Sequence, residues 1–123
     1  MAAPNIVNVT TITGKTAVAN VVTSDTSLVS NAAASGKVFK INTIIVSNID
    51  GTNSAEITVK HFDQAGAAGG SHAIGSTIAV PADSSLVVLD KNSAIYLEEN
   101  RSIGVLAGTT GDLQAICSYE EIS

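Results

Sequence analysis

No stretch of this 123-residue chain sustains a 3.6-residue hydrophobic period over helical length. The apolar residues come instead in short runs broken by Gly, Asp, Asn and Ser, which is the pattern of strands and turns. Asn5–Ile12 alternates loosely up to a break at Thr13-Gly14-Lys15, where Gly14 reads as a turn glycine. Thr16–Thr23 and Ser27–Asn31 follow as a second and a third run, and 31–36 reads as a loop. Lys37–Asn48 is the longest run. It carries Phe39, Ile41 and Ile45 on one parity and Val38, Ile44 and Val46 on the other, a switch that predicts a bulge or a bend near Asn42-Thr43. The Asp50-Gly51 turn signal leads into Ala55–Asp63, with Ile57 and Val59 inward, so a hairpin is expected between these two runs.

Residues 64–71 are mostly Ala and Gly and read as a mobile loop. Ser76–Val80, Ser85–Asp90, Ala94–Leu97 and Arg101–Ala107 read as further strands. The last strand, Asp112–Tyr119, carries Leu113, Ala115, Cys117 and Tyr119 on one face. Short strands at even spacing predict an all-β, single-domain antiparallel β-sandwich, jelly-roll-like. Length agrees, since a chain of this size suits one domain.

Composition shapes the core and the surface. Forty-five per cent of residues are hydrophobic, yet there are only two Phe, two Tyr and no Trp, so the core must be built from branched aliphatic side chains. Only 14% are charged, against about a quarter in an average domain. A hydroxyl- and amide-rich surface loses little hydration free energy when a neighbour covers it; compositional drift is the plainer reading. Eleven acids oppose six scattered bases, for a net charge of −5, and no basic run exists, which disfavours nucleic acid as a partner. No apolar stretch approaches the roughly 20 residues of a membrane helix. The N-terminus lacks the pattern of a secretory signal, so a cytosol-like compartment of synthesis is expected.

No enzyme is expected. Gly14-Lys15-Thr16 suggests a phosphate loop, but the earlier glycine that loop requires is replaced by Val9. His61, Asp63 and His72 are the only metal-like group, and they read as solvated strand-end residues. Cys117 shares the parity of core residues. Glu98-Glu99 and Glu120-Glu121 are adjacent pairs, which a strand points to opposite faces. Catalytic, cofactor and metal sites are therefore expected to be absent.

Several stretches carry a family likeness: Lys37–Thr52 (KVFKINTIIVSNIDGT), Ala55–Val59 (AEITV), Ile78–Lys91 (IAVPADSSLVVLDK), Ile95–Glu99 (IYLEE) and Cys117–Ile122 (CSYEEI). Together they resemble small virion structural proteins of tailed bacteriophages, including cyanobacterial and marine phages, over about residues 37–122. The resemblance implies a capsid decoration (cement) protein that binds and stabilises the head shell, assembled in the host cytoplasm and located in the virion. Its implied partners are the major capsid protein or other virion subunits and further copies of itself, with a trimer favoured. A tail or head-to-tail connector component is the alternative. A glycan- or receptor-binding module is more distant, because four aromatic residues leave little for a sugar platform.

Two segments are expected to meet partners. Residues 1–14 form an N-terminal arm ahead of a sandwich domain at 15–123, or else its first strand; their apolar contacts are Ile6, Val7, Val9 and Ile12. In the run 85–89, Leu86 and Val88 are expected to face the core, leaving Val87 and Leu89 toward a neighbouring subunit.

Overall fold

The computed structural model describes residues 9–123. Nine strands form two antiparallel sheets, a β-sandwich. They are β1 (Ile12–Asn20), β2 (Thr26–Asn31), β3 (Val38–Asn48), β4 (Ala55–Gln64), β5 (Ala68–Val80), β6 (Ser85–Leu89), β7 (Ile95–Leu97), β8 (Arg101–Ala107) and β9 (Leu113–Ile122). One sheet has the order β1-β9-β3-β6, with β7 also paired to β3; the other has the order β2-β8-β4-β5. With β7 set aside, this is the strand order of an eight-stranded jelly roll.

The core between the sheets is aliphatic. Ile41, Ile44 and Val46 of β3 and Leu113, Ala115 and Cys117 of β9 meet Ile57 and Val59 of β4 and Ile103 and Val105 of β8, all of them buried. Its aromatic component is one pair, Phe39 and Tyr119, with ring centroids 5.1 Å apart. β3 changes its inward parity where expected: its register against β9 shifts between Ile41 and Thr43, so Asn42 is the extra residue that keeps both halves of a long strand facing the core.

Four expectations are corrected. β3 and β4 do not form a hairpin, because they lie in different sheets. The chain turns a corner at 49–54, where Asp50 Oδ1 accepts from the Thr52 and Asn53 amides at 2.7 and 3.2 Å. Buried Asn48 pins this corner by donating from Nδ2 to the carbonyls of Asn53 and Val80, both at 2.9 Å. The hairpin partner of β4 is instead β5, which begins at Ala68 inside the expected loop 64–71. Its glycines serve the strand, with Gly69 at a φ of 78° that other residues avoid.

Gly14 is not a turn glycine. It lies within β1 opposite Glu120, and the pairing continues without a break from Ile12↔Ile122 to Asn20↔Gln114. Pairing in fact begins before β1: Thr11 and Ser123 exchange backbone hydrogen bonds at 2.9 and 3.0 Å. A domain boundary at residue 14 therefore cuts a strand of the sandwich.

Leu89 does not face outward. It is only 6% exposed and pairs with Ile44, because the register of β6 against β3 shifts between Leu89 and Val87. Val88 is the extra residue, so Leu86 and Leu89 both turn toward the core and Val87 alone keeps the outward direction.

Candidate functional site: the outer face of the β1-β9-β3-β6 sheet

Alternation sends every second side chain of a strand away from the core. In this sheet the outward residues align across strands into rows. Val18 stands opposite Ile116, Ile116 opposite Ile45, and Ile45 opposite Val87, so four branched aliphatic residues cross the sheet from one edge to the other. Val18 is 72% exposed, Val87 56% and Ile116 42%, and Ile45 between them is half-buried. An apolar row this complete on a solvent-facing sheet marks a surface suited to being covered.

The flanking rows are polar and uncharged. On one side Gln114 Nε2 donates to Asn20 Oδ1 at 3.1 Å and Ser47 and Ser85 share a 3.0 Å hydroxyl contact. On the other side Thr16, Ser118 and Thr43 align. Charge enters only in the next row, where Lys40 lies between Glu120 and the exposed Tyr96, and Asn42 Nδ2 donates to Glu120 Oε2 at 3.0 Å. A groove of about 290 Å³ runs beside the β1 end of the apolar row, lined by Val18, Ala19, Asn20, Gln114, Ala115 and Ile116.

The outer face of the other sheet is covered by its own hairpin. Phe62 of β4 points outward yet is only 3% exposed. Its ring lies over Gly104 of β8, so close that a Cβ there would come within 2.5 Å of Cε2. The β4–β5 turn folds over the same region. The amides of Ala65, Gly66 and Ala67 donate to Asn100 Oδ1, Ser30 Oγ and Ser102 Oγ at 3.1, 2.9 and 2.8 Å. Lys60 Nζ sits 5.9 Å from the Phe62 ring and 3.2 Å from Asp25 Oδ1.

Of the residues expected to meet partners, Val87 belongs to the apolar row and Leu89 to the core. Ile12 opens β1 opposite Ile122 and is exposed, Val9 precedes β1 and is half-buried, and Ile6 and Val7 lie outside the described residues. Val18, Ile45 and Ile116 were not anticipated. Each reads as an ordinary strand residue, and only the pairing of strands distant in sequence joins them.

His61 and His72 are directly paired across β4 and β5, closer than their sequence separation suggests. Among the described residues, no three His, Cys, Asp or Glu side chains converge as a metal site would need. Cys117 is buried, and desolvation pushes its thiol up to about 12. Glu120 and Glu121 diverge as expected on a strand. Glu121 accepts from Lys37 and Lys15, which hold its carboxyl below the usual range.

No family model matches the sequence, and no curated protein is similar to it. Among solved structures the fold is similar to a chain from Bacillus endospore appendages, which form a novel family of disulfide-linked pili. The TM-score is 0.51 at 15% identity, with 92% of this chain and 88% of that chain covered.

Proposed function

We propose that this chain is a non-enzymatic structural subunit that seats on neighbouring protein subunits through the outer face of its β1-β9-β3-β6 sheet, and that its setting is the head shell of a bacteriophage, which it decorates and cements. The apolar row Val18–Ile116–Ile45–Val87 carries the reading. Complete burial of a Val or Ile side chain contributes about 1.5–3 kcal/mol, so covering the exposed half of each gives roughly 1 kcal/mol per residue before the costs of association. The flanking Asn20–Gln114 and Ser47–Ser85 pairs satisfy one another, so a partner covering them strands few polar groups. The virion setting rests on the phrasing of residues 37–122. A tail or connector position would use the same face.

The appendage-like fold favours a second reading, a subunit of a homopolymeric fibre. The single cysteine of this sequence, Cys117, is buried, so such a fibre would be held by packing and backbone pairing and not by disulfides through that residue.

Co-sedimentation with purified head shells tests the proposal. Ile116→Asp and Val87→Asp should each lower occupancy at least tenfold while leaving the melting temperature of the free protein nearly unchanged. Undiminished occupancy with both variants refutes the assignment of this face. Filaments formed by the protein alone, seen by electron microscopy, support the second reading.

A further inference from the structure

Strand edges left open invite pairing with another chain, and proteins guard them with short strands, bulges, prolines or lysines. Three of the edges here are guarded. β2 has six residues and a register shift between Ser27 and Val29. β5 shifts register three times against β4 and has positive φ at Gly69 and Thr77. The edge beside β3 is divided between β6, which is bulged and five residues long, and β7, which is three residues long.

β1 differs from all of them. Its nine residues pair with β9 in unbroken register and include no proline. Its one lysine, Lys15, is drawn back to Glu121 Oε2 at 3.0 Å, within its own sheet. Thr11 exchanges hydrogen bonds with Ser123, and the Val21 amide donates to the Leu113 carbonyl at 3.0 Å. Hydrogen-bonded pairs alternate along an antiparallel ladder, so the odd-numbered residues between these points bond to β9. The N–H and C=O groups of Ile12, Gly14, Thr16, Val18 and Asn20 therefore point away from the sheet.

We propose that β1 pairs antiparallel with β1 of a second copy across a two-fold axis at Thr16, joining two five-stranded sheets into one. The strand is complementary to itself in this register. Ile12 stands opposite the partner's Asn20, Gly14 opposite the partner's Val18, and the two Thr16 side chains meet on the axis. Nothing lies within 4 Å of where a Cβ on Gly14 would sit, so the partner's Val18, the most exposed large apolar side chain among the described residues, has room to spread there. Lys15 lies opposite the small Ala17, so no like charges face each other across the pair. An isologous contact of this kind closes with two copies, giving a dimer in place of the trimer implied by the family resemblance. It also places the apolar rows of both copies on one continuous face. The pairing is made by the backbone of an edge and shares only Val18 with the apolar row of the seating face, and it is tested on the free protein, independently of the shell.

Sedimentation velocity on the full chain should show a dimer at micromolar concentration. Thr16→Pro removes the central amide at a position where an edge strand tolerates proline, and it should give a monomer that melts as a folded domain. Val18→Lys is the second variant and should weaken dimerisation at least tenfold. Thr16→Cys should cross-link under mild oxidation about tenfold faster than Val87→Cys. Its Cα atoms would be about 5.5 Å apart, within disulfide reach. A wild-type monomer at about 100 μM overturns the proposal, as does equal cross-linking at the two positions. So does a dimer that survives both Thr16→Pro and Val18→Lys but is lost when residues 1–9 are removed, which would assign the contact to the N-terminal segment.

Discussion

Gly104→Ala tests how the second sheet is sealed. The added Cβ would lie 2.5 Å from Cε2 of Phe62 and 3.2 Å from the Cβ of Ala67. The Phe62 ring is the far end of a side chain and could in principle swing aside. However, it is almost fully buried, and the turn above it is fixed by hydrogen bonds from three successive amides to Asn100, Ser30 and Ser102. Overpacking of this kind typically costs about 1–3 kcal/mol. Replacing a strand glycine returns about 0.5–1 kcal/mol by restricting the unfolded chain, which leaves a net loss of up to about 2.5 kcal/mol. A domain of this length has an unfolding entropy near 0.26 kcal/mol/K, so the melting temperature should fall by up to about 10 °C. Phe62→Leu in the same background frees the space, and the two changes together should cost less than the sum of each alone, by at least about 0.5 kcal/mol. Thermal melts of the four proteins complete the cycle. Strict additivity would show that Phe62 does not rest on Gly104.

Asn31 is fully buried and donates from Nδ2 to the carbonyls of Lys37 and Leu97 at 2.9 and 3.1 Å, so Asn31→Ala should cost about 2–4 kcal/mol in a denaturant titration. The hydrogen bonds from Lys37 and then Lys15 lower the pKa of Glu121. A carboxyl whose folded pKa is depressed stabilises above its unfolded pKa and loses that contribution as pH falls through the folded value. The advantage of the parent over Glu121→Gln should therefore be present at neutral pH, at up to about 1 kcal/mol, and vanish in acid melts. The Cys117 thiol, raised to about 12 by burial, should resist a thiol reagent at pH 8 until the protein unfolds, as followed by mass spectrometry.

Much of the fold is legible because burial leaves a period of two. Ile57 and Val59 turn inward, Arg101–Ala107 is a strand with the expected bounds, and Leu113, Ala115 and Cys117 share the core face. Even the bulge at Asn42 announces itself, since a strand long enough to show both parities reveals the change. The period records inward and outward but not which sheet, so a corner crossing at Asp50-Gly51 looks like a hairpin. In Ser85–Leu89 both parities are apolar, which hides the bulge at Val88 that returns Leu89 to the core. Ala68 to Gly70 have almost no side chain with which to show alternation. The candidate face is the least legible part. Val87 is visible as an outward residue, but its alignment with Ile45, Ile116 and Val18 depends on pairings between β1, β3, β6 and β9 that no local window contains.

β9 lies between β1 and β3, bonded to both along nearly its whole length. β1 and β3 leave the ribosome before β9 and therefore wait for it before their sheet can close. A nascent chain emerges at about 5–20 residues per second. Hence Ile41, Ile44 and Val46 of β3 stay without their main partner for several seconds, until Ile122 is free. Truncation from Leu113 onward, which removes β9, should accordingly leave no closed sandwich but a chain in which β1 has no partner and β3 keeps only β6 and β7, prone to aggregate during synthesis.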